Sequence, residues 1–462
     1  MRKPIPALLA IVIAAATAAI ATAPHAQTGA AVRRPAQPQR AQPLGEVDAA
    51  QFHTRYVRLG AQGEGLVYEP TVTSGPKGHI ALVFAHPSAN VFNDPIGPQF
   101  ARRGYRIVMV NYRGGDPGDE AYLPSISRGV QYMRTLPGVT KVVVIGHSGS
   151  GHLTPYYTNV ALNGPGVCSG PEKIYPCKAE DLEGLQKPDG MLLFDPTLGA
   201  FHQMSSVDPA VGPKGRIANL DMFTPANGFD LTAKKATYTG DFTKRFYAAQ
   251  SARNKKIVDD AIARLKLIEA GKGRFSDDEP LVIPGMGVNA AGARLYQPDL
   301  AFVEHTRNPH LLIKADGTTA EQIIHTVRPP SGQQAIGNLD SLRVMTQNTS
   351  VRDFLQNSAL RTGPNFAMTA DDIVDVDWKS AATSSPANAE GVTVPSLVLT
   401  MGCHYLIVPG EIIFDHLAAK DKTYATVEGA VHTFTPCKPE YGDTMKRVFD
   451  FADGWLSKPG RF

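Results

Sequence analysis

Beyond residue 26 the sequence holds no apolar run long enough to cross a bilayer, so no membrane-spanning helix is expected there. It has no surplus of either charge: 46 Lys and Arg stand against 43 Asp and Glu, a net of +3, so no nucleic acid or polyanionic partner is implied. It has only four cysteines, and no two of them have the short spacing of a zinc site, so no metal centre is expected. It has no internal repeat. What remains, 43% apolar residues in a chain of 462, is ample for a globular core and more than one compact core usually holds.

The chain opens on Arg2 and Lys3, followed by an Ala- and Ile-rich stretch from Ala7 to Ile20 and small residues at Ala23 and Ala26. Residues 1–26 therefore read as a secretory signal peptide, with cleavage open between Ala23 and Ala26. A periplasmic or secreted protein without a stable membrane anchor is expected. The cysteines suit that oxidising compartment. Cys168 and Cys177 flank a Gly/Pro-rich loop and are expected to close it. Cys403 and Cys437 then pair by elimination, one of three possible connectivities.

Residues 27–48, rich in Ala, Pro, Gln and Arg, read as a disordered linker. From 49 to 199 apolar runs of buried-strand type (His79–Ala85, Tyr105–Asn111, Lys141–Ile145, Gly190–Phe194) alternate with helical spacing, as in Ala121–Leu136. The alternation resumes over 390–462 with strands at Val394–Met401 and Thr423–Val427 and a final helix at Tyr441–Leu456. That pattern predicts an α/β fold with a mostly parallel central sheet flanked by helices. Residues 200–389 break it. They hold a long helical pattern from about Phe242 to Ala270 and short possible strands at Leu281–Ile283, Leu311–Lys314 and Ile323–Val327, and read as a large insertion between two strands of one sheet.

The chemistry is carried by Gly146-His147-Ser148-Gly149-Ser150-Gly151, directly after the strand pattern Lys141–Ile145. A buried strand that breaks into a small-residue turn around a serine presents that serine at the top of a sheet. The pattern G-x-S-x-G asks for glycine where Ser150 stands, and Gly151 comes one place late. A histidine in Val427-Glu428-Gly429-Ala430-Val431-His432 follows the last strand pattern, and Ala85-His86-Pro87-Ser88 ends an early one.

On these three segments the chain resembles the α/β-hydrolase superfamily, over roughly residues 55–199 and 390–462. The resemblance implies an α/β-hydrolase fold with Ser148 as nucleophile, His432 as general base and backbone N–H groups of Gly149 and Ser88 as the oxyanion hole. It implies a carboxylate after the strand ending near Met401-Gly402, where this chain has Cys403-His404-Tyr405-Leu406 instead. Glu411, at the start of the next helix, is the preferred acid, and Asp195, ending the strand after the nucleophile strand, is the alternative. His86 and His404 are candidates for the substrate pocket, whereas His152 reads as structural. A Cys403–Cys437 bridge would hold the acid loop in register with the segment after His432.

The implied activity is serine hydrolysis of a carboxylic ester or lactone through an acyl-enzyme, with no metal or organic cofactor and a small molecule as partner. The insertion would serve as a cap or lid admitting a substrate larger than a short-chain ester. Amide or carbon–carbon bond hydrolysis on the same fold is an alternative, as is a non-catalytic binding protein on a degenerate hydrolase fold. The sequence does not set the oligomeric state.

Overall fold

The computed structural model describes residues 51–73, 75–87, 90–113, 118–287, 294–330 and 345–462. The segments expected to be signal peptide and linker, residues 1–48, and the oxyanion candidate Ser88 lie outside the described residues.

Ten strands form the central sheet: β1 Phe52–Leu59, β2 Gly63–Pro70, β3 Ile80–Ala85, β4 Arg106–Tyr112, β5 Lys141–His147, β6 Gly190–Phe194, β7 His310–Ile313, β8 Thr319–Gln322, β9 Ser396–Met401 and β10 Lys422–Val427. Their order is β1-β2-β4-β3-β5-β6-β9-β10-β7-β8. From β4 through β7 every neighbouring pair is parallel, while β1–β2, β2–β4 and β7–β8 are antiparallel. The inner strands read as unbroken apolar runs because both of their faces are covered. In β5, Val142 and Val144 join one core, which includes Leu123, Val130 and Tyr157 from helices Asp119–Arg134 and Ser150–Asn163. Val143 and Ile145 join the other, with Phe100 from helix Ile96–Arg102 and Val448 and Phe449 from helix Thr444–Leu456. This alternation is the two-residue period of a strand.

The middle of the chain departs from the expected cap. Strands β7 and β8 lie inside 200–389, yet β7 pairs with β10 as a parallel strand of the central sheet, Leu311 opposite Ala425 and Ile313 opposite Val427. The insertion therefore extends the sheet instead of standing wholly apart from it. Its apolar residues share a core with the sheet too: Phe242 and Phe246 of the long helix Gly240–Glu269 are buried in the same cluster as Val83 and Val144. Thr239 caps that helix by accepting from Phe242 N–H at 3.3 Å. The strand expected at Ile323–Val327 is displaced to Thr319–Gln322. The Asp316-Gly317 turn, with Gly317 at φ +85° and Lys314 N–H bonded to Thr318 O, closes a tight hairpin and sets the partner strand closer to β7. No helix among the described residues is long and apolar enough to cross a membrane. Cys168 pairs with Cys177 and Cys403 with Cys437, their Cα atoms 5.4 and 6.3 Å apart.

Candidate active site

Strand β5 delivers Ser148 into a left-handed backbone conformation, φ +59°. A non-glycine residue there is strained, and such strain concentrates where a side chain must be presented at an abrupt turn. The surrounding hydrogen bonds hold it. Ser148 N–H donates to Phe194 O at 3.2 Å, and Ser148 O accepts from Gly151 N–H at 2.9 Å and Thr197 N–H at 3.1 Å. Helix Ser150–Asn163 starts immediately after.

The irregular motif has a physical account. A Cβ on Gly146 would stand 2.4 Å from Ser150 O, and a Cβ on Gly151 would stand 2.4 Å from Pro196 Cα. Both positions exclude any side chain. The crowding that calls for glycine thus falls on residue 151, where the helix meets the loop after β6, and not on residue 150. Ser150 is fully buried, and its hydroxyl donates to His147 O at 2.9 Å and accepts from His147 N–H at 2.7 Å, stitching the turn closed.

Asp195 ends β6, beside the serine strand in the sheet, and also has a positive φ, +44°. Its side chain is wholly buried. Oδ2 accepts from His432 Nδ1 at 2.5 Å, and Oδ1 accepts from Met401 N–H at 3.2 Å. His404 Nδ1 lies 2.6 Å from the same Oδ2, near enough to act on its charge though off the line of a hydrogen bond. Burial alone would raise the Asp195 pKa, but His404 and His432 outweigh it and hold the carboxyl below its ordinary value. Asp195 is thus an anion in contact with two imidazoles, whose rings stack with centroids 4.6 Å apart.

Glu411, the acid preferred from sequence, is not brought to His432, and that expectation is corrected. It is fully buried on helix Ile407–His416 and accepts from His310 Nε2 at 2.8 Å, Arg307 N–H at 2.7 Å and Asn308 N–H at 2.9 Å. It fastens the start of β7 to the helix following β9. Burial raises its pKa, but these donors, His310 first, bring it below the ordinary 4.5. Its contribution to stability is therefore full above about pH 4.5 and lost as pH falls through the folded value. Glu411→Gln is expected to lower the unfolding free energy by about 1–3 kcal/mol and to flatten acid denaturation, read from denaturant melts at pH 7 and pH 4.

The remaining sequence candidates fall around the serine. Gly149 N–H has no hydrogen-bond partner among the described residues, as an oxyanion donor requires. The His86 ring lies against Gly149, its Nε2 3.1 Å from where a Cβ would stand. His152 Nε2 bonds Asp119 Oδ2 at 2.8 Å. The Cys403–Cys437 bridge joins the His404 segment to the His432 segment, and Cys403 N–H donates to Ala430 O at 2.8 Å across the same junction.

Sequence reasoning passed over His147, although it sits inside the motif. Its Nε2 meets His432 O at 2.9 Å, and its ring packs on His432 and Phe434 with centroids 4.8 and 4.7 Å apart. Burial, then the neighbouring His432, push its pKa down to about 4, so at neutral pH it is an uncharged donor that anchors the His432 loop. Only its adjacency to Ser148 could have flagged it.

A strained serine after β5, a carboxylate after β6, and a histidine after β10 that binds this carboxylate complete the pattern on a sheet ordered β1-β2-β4-β3-β5-β6. This is the α/β-hydrolase fold. Asp195, His404 and His432 also bring donor atoms within 4.8 Å of one another. Two ligands of one ion, each about 2 Å from it, stand roughly 3 Å apart; here His432 and His404 contact the Asp195 oxygen directly, at 2.5 and 2.6 Å. No family model matches the chain, and no curated protein matches it. Among solved structures it is similar to the α/β hydrolase GrgF from Penicillium sp., at 11% identity over 89% of this chain and 100% of that one, TM-score 0.39. Brefeldin A esterase, a bacterial homologue of human hormone sensitive lipase, is 14% identical over 88% of this chain and 76% of that one, TM-score 0.38. One of two fungal esterases from Rhizomucor miehei is 12% identical over 90% of this chain and 84% of that one, TM-score 0.36.

Proposed function

We propose that the protein is a serine hydrolase of carboxylic esters or lactones that works through an acyl-enzyme on Ser148. The observation that carries this reading is the 2.5 Å bond from His432 Nδ1 to buried Asp195, beside a serine held at φ +59°. A serine hydroxyl is a weak nucleophile until a neutral imidazole takes its proton. With Nδ1–H committed to Asp195, His432 is fixed in the tautomer whose Nε2 can do so. Ser148 Oγ attacks the carbonyl carbon, its proton passes to His432 Nε2, and the alcohol leaves with that proton. Water, deprotonated by the same nitrogen, then releases the acid. Gly149 N–H supplies one oxyanion donor. The two disulfides suit export to the periplasm or beyond.

A fluorophosphonate probe is expected to label the folded protein and not the heat-denatured one, with mass spectrometry locating the adduct on Ser148. Folded protein that resists the probe and leaves p-nitrophenyl esters, lactones and amides intact would sink the reading.

The second imidazole tunes the first. His404 draws on the negative charge of Asp195 Oδ2, which weakens the pull of that oxygen on His432. His404→Ala is expected to lower kcat for an ester substrate while leaving the fold intact, read from steady-state rates beside circular dichroism. An unchanged kcat would reduce His404 to packing.

A further inference from the structure

The peptide unit between Ser148 and Gly149 has two ends. Its N–H is the proposed oxyanion donor, and its C=O points the opposite way, as in any trans peptide. That carbonyl is crowded with donors. Gly151 N–H reaches it at 2.9 Å, Thr197 N–H at 3.1 Å and the Thr197 hydroxyl at 3.2 Å, more than its two lone pairs require. Gly151 belongs to the helix that starts here. Thr197 does not. It lies two residues beyond Asp195, so the short loop after β6 touches both the acid and the serine turn.

Thr197 is itself held at both ends. Ser385, a fully buried residue of the insertion, donates its hydroxyl to Thr197 O at 2.7 Å. His152 Nδ1 meets Thr197 Oγ1 at 3.3 Å, and Nε2 of the same ring meets Asp119 Oδ2 at 2.8 Å. Asp119, the buried first residue of helix Asp119–Arg134, makes its one ion-pair contact among the described residues with His152.

The chain from Asp119 through His152 and Thr197 to Ser148 O has a definite proton order. The Thr197 hydroxyl has a single hydrogen, and it lies on Ser148 O. The contact with His152 then needs a hydrogen on Nδ1, and the chain is complete when Nε2 carries one toward Asp119 as well. In that state the chain begins at a carboxylate beside an imidazolium and ends on the oxyanion peptide. A hydrogen bond to a peptide oxygen draws electron density away from its nitrogen and strengthens its N–H as a donor, and bonds in a row reinforce one another. Packing a helix against a loop calls for no such chain, since burying these polar groups costs more than burying apolar ones.

We propose that Thr197 is a positioning residue, with His152 and Asp119 behind it, that aims and strengthens Gly149 N–H for the oxyanion by polarising the far end of its peptide unit. The idea rests on the reading of Ser148 as nucleophile.

The test compares p-nitrophenyl butyrate with p-nitrophenyl thionobutyrate, whose sulfur accepts hydrogen bonds poorly. A displaced serine slows both substrates, whereas a weaker oxyanion donor slows the oxygen ester more. One such donor contributes about a hundred- to a thousandfold, and polarisation along a chain strengthens a bond by about 10–30%. Thr197→Val is therefore expected to lower the oxygen-to-sulfur ratio of kcat/KM by about two- to eightfold, through kcat with KM little changed. His152→Leu should lower the ratio likewise, and Thr197→Ser, which keeps the hydroxyl, should restore it. If only one of the two disrupting variants folds, it carries the comparison alone. A native ratio in either folded variant, with a fluorophosphonate still labelling Ser148, would overturn the proposal and leave the hydrolase standing. Native protein that the probe does not label at all would remove both.

Discussion

Ser148→Ala is expected to lower kcat for any ester substrate by about 10⁶-fold while leaving the thermal transition close to that of the native protein. The size follows from removing the attacking atom itself. What survives is the rate that Gly149 N–H and binding alone confer, on the order of 10³ above water. The small effect on stability follows from the local bonding. The turn is held by Ser148 backbone atoms, which bond to Phe194, Gly151 and Thr197, and by the Ser150 hydroxyl, none of which alanine disturbs. Alanine at φ +59° is no worse placed than serine. Burst kinetics with a p-nitrophenyl ester provide the measurement. A variant that keeps more than about a hundredth of native turnover would place the nucleophile elsewhere.

Asp195→Asn is expected to cost about 10³- to 10⁴-fold in kcat. The substitution is nearly isosteric, so its effect lies in proton placement. Asparagine turns one acceptor edge into a donor facing two Nδ1 atoms. For His432 to accept from that amide, its proton must move to Nε2, and Nε2 can then no longer take the proton of Ser148. The loss should appear in kcat more than in KM and should grow toward low pH. The contrast with Glu411 gives the result its meaning. Both acids are fully buried, both contact histidine and both lie below their ordinary pKa, yet only the Asp195 variant should lose turnover in the folded state. Near-native rates in Asp195→Asn would return the role of the acid to a residue not yet considered.

The serine turn was legible in the sequence because its steric demands are local. Glycine and serine in the three residues after an apolar strand leave few conformations for the chain. Gly151 seemed misplaced only because the atom it avoids, Pro196 Cα, belongs to a distant segment. The acid was misjudged for a related reason. Asp195-Pro196 reads as an ordinary turn, and its approach to His432 depends on β6 and β10 being separated by β9 alone, a fact of sheet order. Glu411 was attractive through nearness in sequence to the loop where a carboxylate is usual, but its partners, Arg307, Asn308 and His310, come from about a hundred residues upstream. The strands of the core were recognised to within a few residues, whereas β7 was seen as a strand without its sheet, because a three-residue apolar run, Leu311–Ile313, does not say what it will pair with.

That pairing sets an order of events for the nascent chain. β7 leaves the ribosome well before β9 and β10, yet its parallel partner is β10, the last strand of the sheet to be made. The hairpin of residues 310–322 can therefore join the central sheet only after β10 has been made. The closing step of the sheet needs β10, and the loop bearing His432 begins directly where β10 finishes, at Val427.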